Sequence, residues 1–316
     1  MNSKTFETFV EDLQTFLIIL RILIKNSFIH PHNVRLICRA TNSTFRSYPQ
    51  RMGLVSMDDL NEVIELDLKG KLRITHLILA HNEFSLRRDI PSIAQDVCHD
   101  HPDIPSPFID IDSSRFRELE HLTHLEIRLI NALTHYPSNL IHLTTGYYFN
   151  HELINLPLSL KSLVLGYNYN QSLDGLSNLS NLSSLTTGDF FNESLDNLSG
   201  LPFLTNLSLG HDFNKSLDNL PVALTHLSLG YGFNQKIDNL PASLIYLSMN
   251  ECGLFNQEID QLPVGISYLK LSFYFNHSID YILNHLLNLQ YLFLGVYFSQ
   301  PISSRSDSLE TLSFWY

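Results

Sequence analysis

From residue 140 onward the apolar positions fall in one recurring frame. Leucines take positions one, four and six of a short run, as in Leu224-Thr-His-Leu227-Ser-Leu229-Gly230, and an aromatic-Asn pair follows. That pair is Phe149-Asn150, Tyr169-Asn170, Phe191-Asn192, Phe213-Asn214, Phe233-Asn234, Phe255-Asn256 and Phe275-Asn276, at steps of 20 to 22 residues, and Phe298-Ser299 degrades it. Three residues after each Asn stands an aliphatic side chain (Leu153, Leu173, Leu195, Leu217, Ile237, Ile259, Ile279), and Leu-Pro commonly comes next, as at Leu220-Pro221 and Leu240-Pro241. A fixed period of this length is the signature of a solenoid.

The frame predicts the elements of each coil. Leucines four and six alternate as the inward side chains of a short strand, so positions three and five face outward. Stacked coils then pair these strands at about 4.8 Å into a curved parallel sheet of right-handed hand. The Phe is expected to fill the corner after the strand, and the Asn to bond backbone groups within its own bend. A period this short leaves room only for irregular or single-turn helical returns, where proline is tolerated. About six buried apolar side chains at roughly 1.5 to 3 kcal/mol each do not offset about 1.5 kcal/mol of ordering for each of some twenty residues. The unit must therefore stack.

Upstream, Leu122-Thr-His-Leu125-Glu-Ile127 and Ile74-Thr-His-Leu77-Ile-Leu79 keep the strand frame and lose the aromatic-Asn pair. Residues 59–139 thus read as degenerate leucine-rich coils with an inserted loop near 98–114, rich in Pro, Asp and Ser, and 140–316 as the regular array. The array stops one strand into a new coil at Leu309-Glu-Thr-Leu312-Ser-Phe314-Trp315-Tyr316, whose aromatic tail is expected to cover the last open face. Residues 1–58 lack the repeat. Phe6, Phe9, Val10, Leu13, Phe16, Leu17 and Leu20 recur at helical spacing, and a second helix is expected from Val34 to Phe45.

Composition narrows the function classes. With 32 acidic against 20 basic residues and a formal charge of -12, the chain lacks the clustered cations that nucleic acid requires. Three scattered cysteines, Cys38, Cys98 and Cys252, point to a reducing compartment and no disulfide framework. The apolar run Phe16 to Ile24 follows Glu7, Glu11 and Asp12 and contains Arg21, so it is neither a secretion signal nor a membrane span. A cytoplasmic protein is expected, in the host cytoplasm if it is viral.

The frame Leu-x-x-Leu-x-Leu-Gly-x-x-Phe-Asn-x-x-Ile-x-x-Leu-Pro resembles the FNIP repeat, a relative of leucine-rich repeats found in social amoebae and in giant viruses that infect amoebae. The likeness covers roughly 140–316. It implies a leucine-rich-repeat-like solenoid that binds proteins. Ile37-Cys38-Arg39 followed by Phe45 is similar to the closing part of an F-box, a module common in such proteins. That would make Ile37, Cys38 and Phe45 contacts for the adaptor subunit of a cullin-type ubiquitin ligase; the alternative is a helical cap on the first coil and a plain binding scaffold.

Candidate sites follow from the register. Position three carries His76, His124, His142, Ser162, Ser184, Asn206, His226, Tyr246, Tyr268 and Tyr291, a polar-to-aromatic column on the outer sheet face and the expected partner-binding surface. Outward sheet positions also favour aromatics as β-formers. A second column, Asp174, Asp196, Asp218, Asp238, Asp260 and Asp280, offers one carboxylate per coil where calcium wants six to eight oxygens, so each Asp is expected to cap its own turn. Cys98, His99 and His101 crowd metal-ligand types together without the second pair a zinc site needs. No nucleotide-binding, hydrolase or metalloprotease motif occurs, and neither an enzyme nor a cofactor is expected.

Overall fold

Glycine and proline fix the length of each strand. Position seven is usually Gly, which ends the alternation, and Leu-Pro precedes position one, so the strands run to only three or four residues. The computed structural model describes residues 39–40, 50–51, 76–79, 113–127, 133–249, 253–304 and 306–314, in two units, Met1–Gly146 and Tyr147–Tyr316.

In the first unit, β1 (Arg39–Ala40) pairs antiparallel with β2 (Gln50–Arg51). This corrects the expected second helix at Arg39 and Ala40; Pro49, just before Gln50, favours extended backbone around it. The rest of residues 1–58, including Ile37, Cys38 and Phe45, lies outside the described residues. Strands β3 (His76–Leu79), β4 (His124–Ile127) and β5 (His142–Thr145) form a parallel set. A 3-10 helix spans Ser113–Glu118, so the inserted loop gives way to regular structure at Ser113; residues 98–112 lie outside the described residues.

The second unit is a solenoid of parallel strands: β6 (Ser162–Val164), β7 (Ser184–Thr186), β8 (Asn206–Ser208), β9 (His226–Leu229), β10 (Tyr246–Met249), β11 (Tyr268–Lys270), β12 (Tyr291–Leu294) and β13 (Thr311–Phe314). Each pairs with the next so that equivalent repeat positions are opposite one another, as Leu227 is to Leu247 and Leu207. Leu224, Leu227 and Leu229 are buried and His226 is exposed, the alternation the frame predicts. The returns are short, as expected: single 3-10 turns at Asp174–Leu176 and Asp196–Leu198, and one short helix, α1 (Asp280–His285). Proline contributes an acceptor there. The carbonyls of Pro157, Pro221, Pro241 and Pro263 take the amide of the first apolar residue of the next strand run at 3.0–3.2 Å.

Two ladders join coil to coil beyond the sheet. The corner aromatics are fully buried from Phe149 through Tyr169, Phe191, Phe213, Phe233 and Phe255 to Phe275, and they stack on one another and on the half-buried Phe298 with ring centroids 6.0–6.3 Å apart, within the favourable range for offset rings. Tyr169 is accommodated because its hydroxyl donates to the Ser172 carbonyl at 2.9 Å. The Asn side chains form the second ladder, and here the sequence expectation is corrected. The Oδ1 of Asn150 accepts from the Asn170 amide, and the same bond repeats from Asn170 to Asn276 at 2.9 Å, ending on the Ser299 amide at 2.8 Å. The partner is thus in the next coil. Four of the bends close with their own main chain, the amides of Tyr169, Phe191, Phe275 and Phe298 donating to the carbonyls of Gly166, Gly188, Ser272 and Gly295 at 3.1–3.3 Å, while the Asn carbonyl reaches across.

Position seven is held to glycine by close approach. A Cβ at Gly188, Gly210 or Gly230 would be driven into the carbonyl oxygen of Gly166, Gly188 or Gly210 in the preceding coil. Ser272 takes the same place after the insertion near Glu251 and Cys252; it is fully buried, and its hydroxyl donates to the Phe255 carbonyl at 2.8 Å. At the far end Leu312 and Phe314, which align with the buried Leu292 and Leu294, are each 40% exposed; Trp315 and Tyr316, expected to cover this face, lie outside the described residues.

Chemical denaturation should rank these contacts. Phe213→Ala is expected to cost about 3–5 kcal/mol through the cavity it opens in the ring stack. Gly230→Ala should cost about 3 kcal/mol, the upper end for overpacking, because backbone must move to admit one methyl. Asn214→Ala should cost about 1 kcal/mol, since water can reach the exposed Asn234 amide it abandons, whereas Asn214→Asp keeps the acceptor and should lose less. An equal loss for the Ala and Asp variants would argue against the inter-coil bond.

Candidate partner-binding surface

Position three of each strand points away from the leucine core, and parallel pairing in register turns these residues into columns. In the first unit His76, His124 and His142 are aligned. The rings of His124 and His142 stack at 4.2 Å, and Thr123 Oγ1 lies 2.9 Å from His124 Nδ1. In the second unit Ser162, Ser184, Asn206, His226, Tyr246, Tyr268 and Tyr291 make one unbroken column. Its aromatic end is a ring ladder: His226 to Tyr246 at 5.5 Å, Tyr246 to Tyr268 at 4.3 Å, and Tyr268 to Tyr291 at 6.2 Å. Tyr291 is 37% exposed and donates its hydroxyl to Glu310 at 3.2 Å. That carboxylate holds the phenol above its usual pKa.

Two further columns border this one. At position five, Thr186, Ser208, Ser228 and Ser248 are aligned and present short hydroxyls to solvent, and Lys270 continues the line. After the strands, the turn residues form a second aromatic series. Tyr147 stacks on Tyr167 at 4.6 Å, Tyr167 contacts Phe190 at 4.8 Å, His211 stacks on Tyr231 at 4.8 Å and Tyr274 on Tyr297 at 5.1 Å. The Ser-rich floor and the turn aromatics are both legible in the frame, as the recurring Leu-Ser-Leu and as an aromatic or His one or two residues after position seven, yet position three alone does not reveal them.

On the return side the Asp column behaves differently from expectation. At four positions of the column the Asp amide is capped by the serine two residues earlier: Ser172, Ser194 and Ser216 accept from Asp174, Asp196 and Asp218 at 3.1 Å, and Ser278 accepts from Asp280 at 3.3 Å. With its own turn supplied, the carboxylate accepts from the next coil. Asn197 donates to Asp174, Asn219 to Asp196 at 2.6 Å and Asn239 to Asp218 at 2.8 Å, while Asp280 accepts from the Ser303 and Ser304 amides at 2.8 and 2.9 Å. The signal was the Asp-Asn dipeptide at Asp196-Asn197, Asp218-Asn219 and Asp238-Asn239. Among the described residues no three of His, Cys, Asp and Glu stand close enough to share a metal ion; Cys98, His99 and His101 lie outside them. No helix among the described residues is long and apolar enough to cross a membrane.

The repeat geometry finds its counterparts among known proteins. The FNIP Repeat family model matches residues 149–177 and 213–252. The chain carries FNIP repeats. A solved structure of the giant-virus protein CroV588, described as a novel circular LRR protein, is 29% identical with a TM-score of 0.50, and the match covers 62% of this chain and 37% of that one. The chain thus spans little more than a third of CroV588. An internalin, InlF, of Listeria monocytogenes is 19% identical over 64% of this chain and 76% of its own, with a TM-score of 0.38. No curated protein matches. The FNIP-repeat chain is a leucine-rich-repeat-like solenoid.

Its carboxylate ladder sets an acid dependence. Hydrogen bonds from Asn219 and Ser194 hold Asp196 below the ordinary carboxylate pKa, those from Asn239 and Ser216 do the same for Asp218, and the Ser304 and Ser303 amides do so for Asp280. A folded-state value below the unfolded one stabilises the fold above the unfolded value, near pH 4, and that contribution disappears as pH falls through the folded value. Thermal melts from pH 7 to pH 3 should show the Tm of the native chain falling at the acid end, and an Asp196→Asn, Asp218→Asn double variant should fall less steeply.

Proposed function

We propose that this FNIP-repeat protein is a protein-binding scaffold of a reducing cytoplasm that takes its partner on the outer face of the second unit's sheet, centred on Tyr246, Tyr268 and Tyr291. The observation that carries the reading is the unbroken, in-register column from Ser162 to Tyr291, whose outward rings are supported from beneath by a rigid leucine core. Tyrosine gives large contact area with a polar end and little rotamer freedom to lose, the property that enriches it at interfaces. The leucine-rich-repeat-like architecture supports protein partners in general, since such solenoids extend one continuous surface instead of a closed pocket. Transfer of the partner to a ubiquitin ligase would depend on Ile37, Cys38 and Phe45, and the reading adopted needs none of them.

Cross-linking capture from cell extract tests this. The Tyr246→Glu, Tyr268→Glu double variant should lose its captured proteins by at least about tenfold, as expected for loss of aromatic hot spots. Val222→Glu, at a position 82% exposed on the return side, should keep them. Equal capture by the two variants rejects the sheet face.

A further inference from the structure

We infer that the outer face of the second unit takes a proline-rich segment in the polyproline II conformation, laid along a row of hydroxyls at Ser208, Ser228 and Ser248. The inference rests on the sheet face being the partner-binding surface, and it specifies the chemistry of the partner. The three serines lie side by side on β8, β9 and β10, half-buried at the floor of a groove of about 560 Å³. Along each strand, position five lies between position three and the turn, so aromatic rings border the row on both sides. His226 and Tyr246 stack at 5.5 Å on one side, and His211 and Tyr231 at 4.8 Å on the other. His211 itself lines the groove.

What the floor leaves available selects the ligand. Its main chain is already paired, the Ser208 and Ser228 carbonyls accepting from the Thr187 and Leu209 amides at 2.9 Å. Among the described residues no hydrogen bond engages the side chains of Ser208, Ser228 and Ser248. A ligand therefore meets hydroxyl donors between apolar rings. A β-strand would bring as many amides as carbonyls and find no main-chain acceptor for them, and an α-helix has already bonded its carbonyls to itself. A proline-rich segment has the balance the groove needs. Proline has no amide N–H, the carbonyls of a polyproline II chain carry no internal hydrogen bonds, and its rings suit aromatic-lined grooves.

The repeat lengths agree as well. One polyproline II turn is three residues at about 3.1 Å each, or about 9.3 Å, and two coil steps of about 4.8 Å make about 9.6 Å. Residues three apart in the segment thus meet equivalent sites two coils apart, as Ser208 and Ser248 are. An extended strand repeats after about 6.6 Å and falls out of step with the coils. Asp189 and Lys270 also line the groove, and recognition of this kind asks nothing of their charges.

Fluorescence anisotropy on the full-length protein tests the inference, with labelled decaproline and, for comparison, a labelled Gly-Ser decamer. Decaproline should bind saturably and the Gly-Ser decamer at least about tenfold more weakly, since only the first is preorganised. Ser228→Val should weaken decaproline about fivefold by removing the central donor, whereas Ser228→Thr keeps the hydroxyl and should bind as the native chain does. Tyr231→Ala with Tyr246→Ala should weaken it at least about tenfold. Circular dichroism establishes that each variant is folded. No binding of decaproline, equal binding of the two decamers, equal loss for the Val and Thr variants, or indifference to Ser228→Val or to the tyrosine pair overturns the inference. If decaproline does not bind while the Tyr246→Glu, Tyr268→Glu variant loses its captured proteins, the sheet face stands as the binding surface and the proline-rich segment falls.

Discussion

Each coil of the second unit is finished by its neighbour. A strand, a bend and a return of some twenty residues enclose too little apolar surface to offset their ordering, so the bonds that matter run between coils. The Asn ladder is the clearest of them: an amide left over by the bend at Asn170, Asn192 or Asn214 is satisfied by a side chain one coil back. Beside it the buried rings stack, and the glycines at 188, 210 and 230 bring the turns together so closely that no Cβ fits. The period is thereby locked. A coil with a different turn length must bring its own compensation, as Ser272 does after the insertion near Glu251.

That division of labour frees the outer face. Core positions one, four and six of the second unit are Leu, Ile or Met apart from Thr187 and Phe314, whereas position three runs through Ser, Asn, His and Tyr without disturbing the register. Side chains there meet the column above and below, solvent and a few surface neighbours, as Asn206 meets Thr205 and Tyr291 meets Glu310, and none of these contacts belongs to the leucine core. Composition on this face can thus change from coil to coil at little cost in stability, which is the property a binding surface needs. The return side carries the opposite kind of polar residue: Asp, Asn and Ser that spend their hydrogen bonds on one another and on adjacent coils.

The repeat, the inward leucines, the buried corner aromatic, the short returns and the outward column at position three are all written in the order of residues along the chain. All of these follow from periodicity, because side-chain direction alternates along a strand and a fixed step superposes equivalent residues. The hydrogen-bond partners, by contrast, emerge only when the coils are stacked. Asn150 and its equivalents are legible as hydrogen-bonding residues of the bend, but their partner is the amide of the next coil, 20 residues on at Asn170, and not a group of their own bend. The Asp column reads locally as capping, yet at Asp174, Asp196, Asp218 and Asp280 the serine two residues earlier holds that role. Arg39 and Ala40 pair as strand inside a segment with helical periodicity. Pairing across coils depends on the distance between chain segments remote in sequence, which local pattern does not encode.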